Sequence, residues 1–464
     1  MFFPTVLAVY FILGRLNLNA NVWLLLASLA FYAYWDVSYL PILVGSIAVN
    51  FLIAKIILDT DHKSSGFAVG LIFNLGLLGV YKYLDFVIDN VNRIGADIEP
   101  LGLILPLGIS FFTITQLLYL YDCYSDTTKE HRLVNYALFV SFFPHLMAGP
   151  ILYHRQMFKQ FNNPKLRAVD WNNLSIGLML FTIGLIKKVL VADQLSPYVA
   201  IGFSSAASVD CLTAWLTSIG YMLQLYFDFS GYSDMAVGLS KMMNLDIPIN
   251  FNSPYRASSM INFWQRWHIS LTNAITACVY MPLVRRLKTR TLGHTVTASF
   301  IAFFVVGIWH GAGWTFVVFA VMNAVGIVVN YIWKFYNRTM PNLLAHIITL
   351  LYVLLTMVFF RADSVSDALN MIAAMFGANG IVFPQKIVSI AATFNISLNV
   401  GNVPGSLPKF IFLAALLIVA FSPNSNQLTK KITPSPWLAT ALAFGLFIAV
   451  LHLARVTEFL YFQF

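Results

Sequence analysis

The chain has 464 residues, of which 59% are hydrophobic and only 10% charged, with a formal net charge of +9. A soluble domain carries about a quarter charged residues, so an ordinary aqueous globule is excluded and one all-α, polytopic membrane unit over 1–464 is the expectation. The basic residues sit in short interhelical stretches and not on one face of a soluble module, which removes nucleic acid as a partner.

In chain order, residues 1–13 are apolar but lack a basic leading region and a small-residue cleavage site, so they read as a retained first span. A lipid-crossing helix needs ~20 mostly apolar residues, because hydrocarbon tolerates no unpaired backbone groups. Candidate spans in an N-terminal part, 1–153, are 2–13, 20–36, 38–58, 66–84, 101–121 and 134–152. A catalytic core, 154–334, holds 174–201, 211–238, 292–310 and 314–334. The C-terminal part, 335–464, holds 343–361, 409–422 and 437–454. Roughly 11 to 13 helical passes follow, some of them half-spans or re-entrant.

Two basic stretches, His154, Arg155, Lys159, Lys165, Arg167 and then Arg285, Arg286, Lys288, Arg290, are expected in the cytosol, because short Lys- and Arg-rich loops stay there. Cys123, Cys211 and Cys278 lie far apart and build neither a disulfide framework nor a CxxC site. Between 239 and 291 hydrophobicity falls while aromatic density stays high, which predicts short and interfacial helices buried against the bundle. Within the polar interval 362–408, Ser364 to Asp367 reads as a capping box opening an amphipathic surface helix. After Gly377 the stretch reads as a loop. No internal repeat is evident, which weakens a transporter built from two inverted halves.

Ionisable groups inside spans cost about 2.5 to 3.5 kcal/mol at the helix centre, so each asks for a reason. His310 closes a long apolar run among Gly307, Gly311 and Gly313, between Trp309 and Trp314. A buried neutral imidazole there suits removal of a proton from a hydroxyl; a helix-end histidine bonded to a carbonyl is the plainer reading. Arg266, Trp267 and His268 form a second block, able to hold an anion and orient a substrate, or else an interfacial aromatic belt with a snorkelling arginine. Asp228, Ser230, Tyr232 and Asp234 form a third, too poor in histidine for a metal site, whose carboxylates are expected to bond Arg266 or another base. Lys187, Lys188 and Asp193 form a fourth. Residues 188 and 193 are one and a half α-turns apart, which disfavours a direct pair and leaves snorkelling lysines as the default. There is no GxxxxGK[ST], GxSxG or HExxH motif, so ATP hydrolysis, serine hydrolysis and zinc proteolysis lose their usual support.

Taken in order, the blocks Leu105 to Phe112, Phe143 to Ile151, Lys187-Lys188, Asp228 to Asp234, Phe263 to Leu271 and Trp309-His310-Gly311 resemble the membrane-bound O-acyltransferase (MBOAT) superfamily. Phe359 to Ala362 and Phe459 to Phe464 point to its bacterial branch containing the alginate O-acetylase. The resemblance implies a ring of helices around a thin centre, with funnels from both sides meeting near the superfamily histidine, which His310 matches. His268 occupies the place of the second motif residue. Trp309, Arg266, Trp267, Asp228, Ser230, Tyr232, Asp234 and His145 are then expected to bind substrate or line the tunnel. It also implies a bacterial inner-membrane enzyme moving an acyl group, usually acetyl, from acetyl-CoA or another acyl thioester to an extracytoplasmic hydroxyl of an exopolysaccharide or other envelope polymer. An SGNH-type transferase would be its partner, and neither a bound cofactor nor a metal is implied. The segment Thr272 to Arg286 departs from the alginate-type pattern, lacking its Arg-Asp pair and Gly-Gly, which leaves the acceptor open. The rival reading is a transporter or flippase of a lipid-linked saccharide or acyl donor; a scaffold is a third.

Overall fold

A computed structural model describes residues 1–128, 132–285, 291–383, 385–393, 399, 408–431, 435–453 and 460. Arg286, Lys288 and Arg290 of the second basic stretch, and most of the closing aromatic block, lie outside the described residues. Among the described residues the chain is helical, with no strand. Six helices are long and apolar enough to cross a membrane: Val37–Asp59, Lys63–Asn92, Trp171–Ser204, Leu292–His310, Trp314–Phe335 and Asn342–Arg361. Shorter apolar helices are Phe2–Arg15, Ala20–Trp35, Val365–Met375, Lys409–Phe421 and Pro436–Leu451. Short polar residues start them: the side chains of Asn19, Ser259, Thr291, Ser364 and Ser435 each accept a backbone N–H of the first turn, meeting donors that a helix leaves without intrahelical partners.

Contacts gather in two units. The first comprises Met1–Ile183, Tyr232–Asn250 and His268–Cys278. Its spans keep their buried amides paired: Asn74 donates to Asn50, Gln116 to Ser46 and Tyr136 to Gln116. At one end of this unit Asn21 bonds Asn135 and the Phe161 carbonyl, Arg167 reaches the carbonyls of Leu18 and Phe161, and Gln160 bonds Asp246. That end carries Arg15, Lys55, Lys63, Arg132, Arg155, Lys159, Lys165, Arg167 and Lys241 against Asp59, Asp61, Asp122, Asp126, Asp170 and Asp246, with Lys63, Arg155 and Lys241 paired to Asp126, Asp122 and Asp246, and so keeps an excess of cations. Following the helices to the other end brings Tyr32 to the Leu107 carbonyl and Asp85 to the amides of Leu101 and Gly102. Asp36, Asp85, Asp89, Asp97 and Glu99 gather there with Arg93. The unit therefore has a basic and an acidic end. Its expected span 134–152 is a half-span, since the helix Leu133–Ser141 stops before Pro144 and the chain turns back into His154–Phe161.

The second unit comprises Gly184–Gly231, Phe251–Trp267 and Val279–Phe464. Leu292–His310 and Trp314–Phe335 form a tight antiparallel pair, close enough that any side chain at Gly307 would run into Ala320; small residues let membrane helices approach this way. Val365–Met375 is helical as its capping box predicts, but Ala368, Met371, Ala374 and Met375 are buried, and Trp215 donates to the Met375 carbonyl. The stretch after Gly377 is not all loop, since Gln385–Thr393 is a helix.

Among the described residues three π-helical turns occur, two inside spans at Gly79–Tyr83 and Lys187–Ala192 and one at Thr276–Tyr280 between the short helices Ile269–Ile275 and Met281–Arg285. Single π turns inside helices are rare and concentrate at functional sites.

Candidate active site

His310 is the last residue of Leu292–His310, which ends because Gly311 turns to extended backbone at φ −164°. Its imidazole is 3% exposed. It meets the rings of Trp309 at 5.1 Å, Phe360 at 5.1 Å and Phe319 at 5.9 Å, all edge to face. Phe360 comes from the following span, Asn342–Arg361, and packs on Phe319 at 4.9 Å. The sequence places this histidine between two tryptophans; in the structure Trp309, Phe360 and Phe319 pack on it, and Trp314 is 52% exposed. Gly311 is needed because a side chain there would overlap the Phe316 ring.

A second cluster in the same unit is ionic. Lys188 Nζ lies 2.7 Å from Asp193 Oδ1 and 2.7 Å from Asp228 Oδ1, and all three residues are buried. The pairing with Asp193 corrects the α-helical expectation. Lys187–Ala192 is a π turn, in which residues five apart share a face, so 188 and 193 come together. Lys188 is therefore no snorkelling surface lysine. Its neighbour Lys187 bonds Ser425 at 2.6 Å and lies over the Tyr226 ring at 5.9 Å. Asp228 also accepts the backbone N–H of Leu460 at 3.1 Å, tying the chain end to the helix Cys211–Met242. Gly231 on that helix packs on the Gly184 carbonyl, again a position that only a missing side chain permits.

Asp228 thus bonds a base, but the base is Lys188 and not Arg266. Arg266 instead donates to the Asn262 amide and the Asn252 carbonyl, which fixes the 3-10 and α turns of Pro254–Arg256 and Met260–Trp264. Trp267 is buried among Tyr226, Phe251, Tyr255 and Phe263, with Phe251 5.0 Å away. Ser230 is buried at 1% exposure.

The first unit holds His268, Tyr232, Asp234 and His145. His268 is wholly buried and sits at φ 44°, ψ 52°, a left-handed conformation that few non-glycine residues adopt and that is worth a functional look. It opens the helix Ile269–Ile275, and its ring stacks on Phe111 at 6.4 Å. Tyr232 hydrogen-bonds the backbone of Ala148. His145 Nε2 lies 3.0 Å from the Phe139 carbonyl, a bond that ties the turn after the half-span to that helix. Asp234 is buried. Among the described residues no three His, Cys, Asp or Glu side chains cluster as metal ligands, and the three cysteines are free.

A family model described as MBOAT, membrane-bound O-acyltransferase family, matches residues 106–362, the stretch that runs from the Leu105 block to the end of the span bearing Phe360. The chain belongs to this family. A peptidoglycan O-acetyltransferase of Helicobacter pylori is 36% identical over all of this chain and 95% of its own length. A probable alginate O-acetylase, AlgI, of Pseudomonas aeruginosa is 33% identical, covering 91% of this chain and 79% of its own. More distantly, a teichoic acid D-alanyltransferase of Bacillus subtilis is 29% identical over 49% of this chain and 59% of its own. The protein is a membrane-embedded O-acyltransferase of the alginate O-acetylase-like branch, and the transporter and scaffold readings give way to an enzyme with an acyl donor as substrate.

Proposed function

We propose that this acyltransferase moves an acetyl group from a cytosolic thioester, acetyl-CoA, toward an extracytoplasmic hydroxyl of a cell-envelope glycan, with His310 as the general base. The carrying observation is the imidazole at the end of an apolar span, almost closed to solvent and held by the edges of three aromatic rings. A positioned base that removes the hydroxyl proton as the acyl carbonyl is attacked contributes 10² to 10⁴ in rate. The basic end of the first unit faces the cytosol in this reading, by the excess of Lys and Arg in short loops, and attracts the phosphates of the donor. The membrane is then the bacterial inner membrane.

The relatives' names support a glycan acceptor, and the one matched along nearly its full length acts on peptidoglycan. With the alginate-type Arg-Asp and Gly-Gly missing from Thr272 to Arg286, we favour peptidoglycan over alginate. An SGNH-type partner outside the membrane completes the transfer. Mass spectrometry of envelope glycans from cells with the wild-type chain, without it, and with His310→Ala tests this. Loss of O-acetyl groups from muramyl residues in the last two is expected; full acetylation with His310→Ala refutes the base, and unchanged peptidoglycan beside altered exopolysaccharide refutes the acceptor.

A further inference from the structure

The basic end of the first unit holds a cavity of about 610 Å³, set between the helix His154–Phe161 and the turn at Asn244. We propose that this cavity is a phosphate site that takes the headgroup phosphodiester of an anionic phospholipid in the leaflet at that end. Such a site lies wholly in the first unit and depends on neither His310 nor the acetyl donor.

Two cations stand on one edge of the cavity. Arg155 and Lys159 are four residues apart on an α-helix whose other face, His154, Met157, Phe158 and Phe161, is buried. Both therefore project from the exposed side, with Cβ atoms about 5–6 Å apart, close enough to share one phosphate. Arg155 is 52% exposed and its contact with Asp122 is a long one, 3.6 Å. Lys159 pairs with no carboxylate among the described residues. Asp246 also lines the cavity, but Lys241 Nζ lies 2.8 Å from its carboxylate, which cancels that negative charge. Guanidinium and ammonium groups of this kind are the usual donors to phosphate oxygens.

The frame around these cations is held by hydrogen bonds of its own. Gln156 and Gln160 donate to the Asp246 carbonyl, and Gln160 Oε1 accepts the Asp246 N–H. Asn244, in the left-handed region at φ 60°, donates to the carbonyls of Leu166 and Ala168. These amides are engaged on the walls, so the charge left to meet a ligand is that of Arg155 and Lys159.

Depth separates a lipid headgroup from a soluble phosphate ester, which shares the same chemistry. Asn244 accepts a hydrogen bond at 3.0 Å from Asn173, in the first turn of the span Trp171–Ser204. Trp171, which opens that span, is 74% exposed, and Leu178, two turns deeper, is 51% exposed. An outward tryptophan at the start of a span marks the membrane interface, and the leucine beyond it faces acyl chains. The cavity thus lies at headgroup level, where basic pockets beside membrane helices bind anionic lipids.

The test uses the full-length protein in nanodiscs of phosphatidylcholine, alone or mixed with phosphatidylglycerol. It reads thermal unfolding and, by native mass spectrometry, the phosphatidylglycerol retained after release from the disc. Wild type is compared with Arg155→Gln, Lys159→Gln and with a control, Lys55→Gln, Arg132→Gln, which removes equal charge from the same end outside the cavity. In phosphatidylcholine alone all three should unfold together, showing that the variants fold. Phosphatidylglycerol is expected to raise the midpoint of wild type and control, and to bind the cavity variant about tenfold more weakly or worse, as loss of charge-assisted hydrogen bonds requires. A cavity variant that responds like wild type overturns the site. So does a control impaired as much as the cavity variant, since the effect is then one of overall surface charge. CoA added to phosphatidylcholine discs probes the soluble source: binding by wild type that the cavity variant loses, without any response to phosphatidylglycerol, overturns the lipid and gives the cavity to a soluble phosphate ester. Every arm reads binding and not acetyl transfer, so His310 stands or falls separately.

Discussion

Replacing Lys188 by methionine keeps the length of the side chain and removes the one ammonium shared by Asp193 and Asp228. Both carboxylates lie 2.7 Å from that nitrogen, and their side chains are 2% and 1% exposed, so water cannot take its place. Taking one partner from a buried ion pair costs about 3–5 kcal/mol, because the charge left behind is uncompensated. At about 1.4 kcal/mol per decade, Lys188→Met should lower the folded-to-unfolded ratio by at least roughly a hundredfold. The triple variant Asp193→Leu, Lys188→Met, Asp228→Leu removes every charge and should lie much nearer wild type, since apolar replacements of buried ionic clusters are often neutral. Asp193→Asn should be milder than Lys188→Met, because the pair with Asp228 remains. Denaturant unfolding of the purified protein in detergent, followed by far-ultraviolet circular dichroism, gives the midpoints. If Lys188→Met unfolds with the wild-type protein, or the triple variant is worse than the single, the cluster is not the buried pin inferred from its geometry.

Gly307→Leu should separate Leu292–His310 from Trp314–Phe335, abolishing acetyl transfer and lowering the unfolding midpoint, because the new side chain has only the Ala320 backbone to occupy. Phe360→Ala should cost about 3–5 kcal/mol in the same unfolding assay; it should also raise hydrolysis of acetyl-CoA without acceptor, read as free thiol, because it opens one wall beside His310. Ser364→Ala should cost about 1 kcal/mol by loss of the Asp367 N–H cap, seen as faster amide exchange confined to Val365–Met375.

Much of the fold was legible because hydrocarbon leaves so few options. Long apolar runs such as 38–58 and 343–361 become helices within a residue or two of the expected bounds, and Ser364 caps its helix as its spacing demands. The half-span ending at Ser141 was hidden because Pro144 falls inside a run apolar enough to cross. The helix Gln385–Thr393 was hidden because glycine, proline and asparagine surround it and speak for a loop. At the site, His310 and the Asp228 block stood out as ionisable groups in apolar surroundings. Their partners did not: an α-helical ruler separates Lys188 from Asp193, and only the π turn, which leaves no mark in composition, brings them together.

With His310 as the general base proposed above, the collar of rings also sets how charge is accounted for during turnover. With 3% of its surface open, the imidazole has little bulk water to which it can hand a captured hydrogen ion. Neutrality must then be restored among the reactants themselves, the hydroxyl supplying what the departing sulfur of the proposed thioester takes up. Net turnover should consequently be insensitive to buffer strength and should neither acidify nor alkalinise the medium on either side of the bilayer.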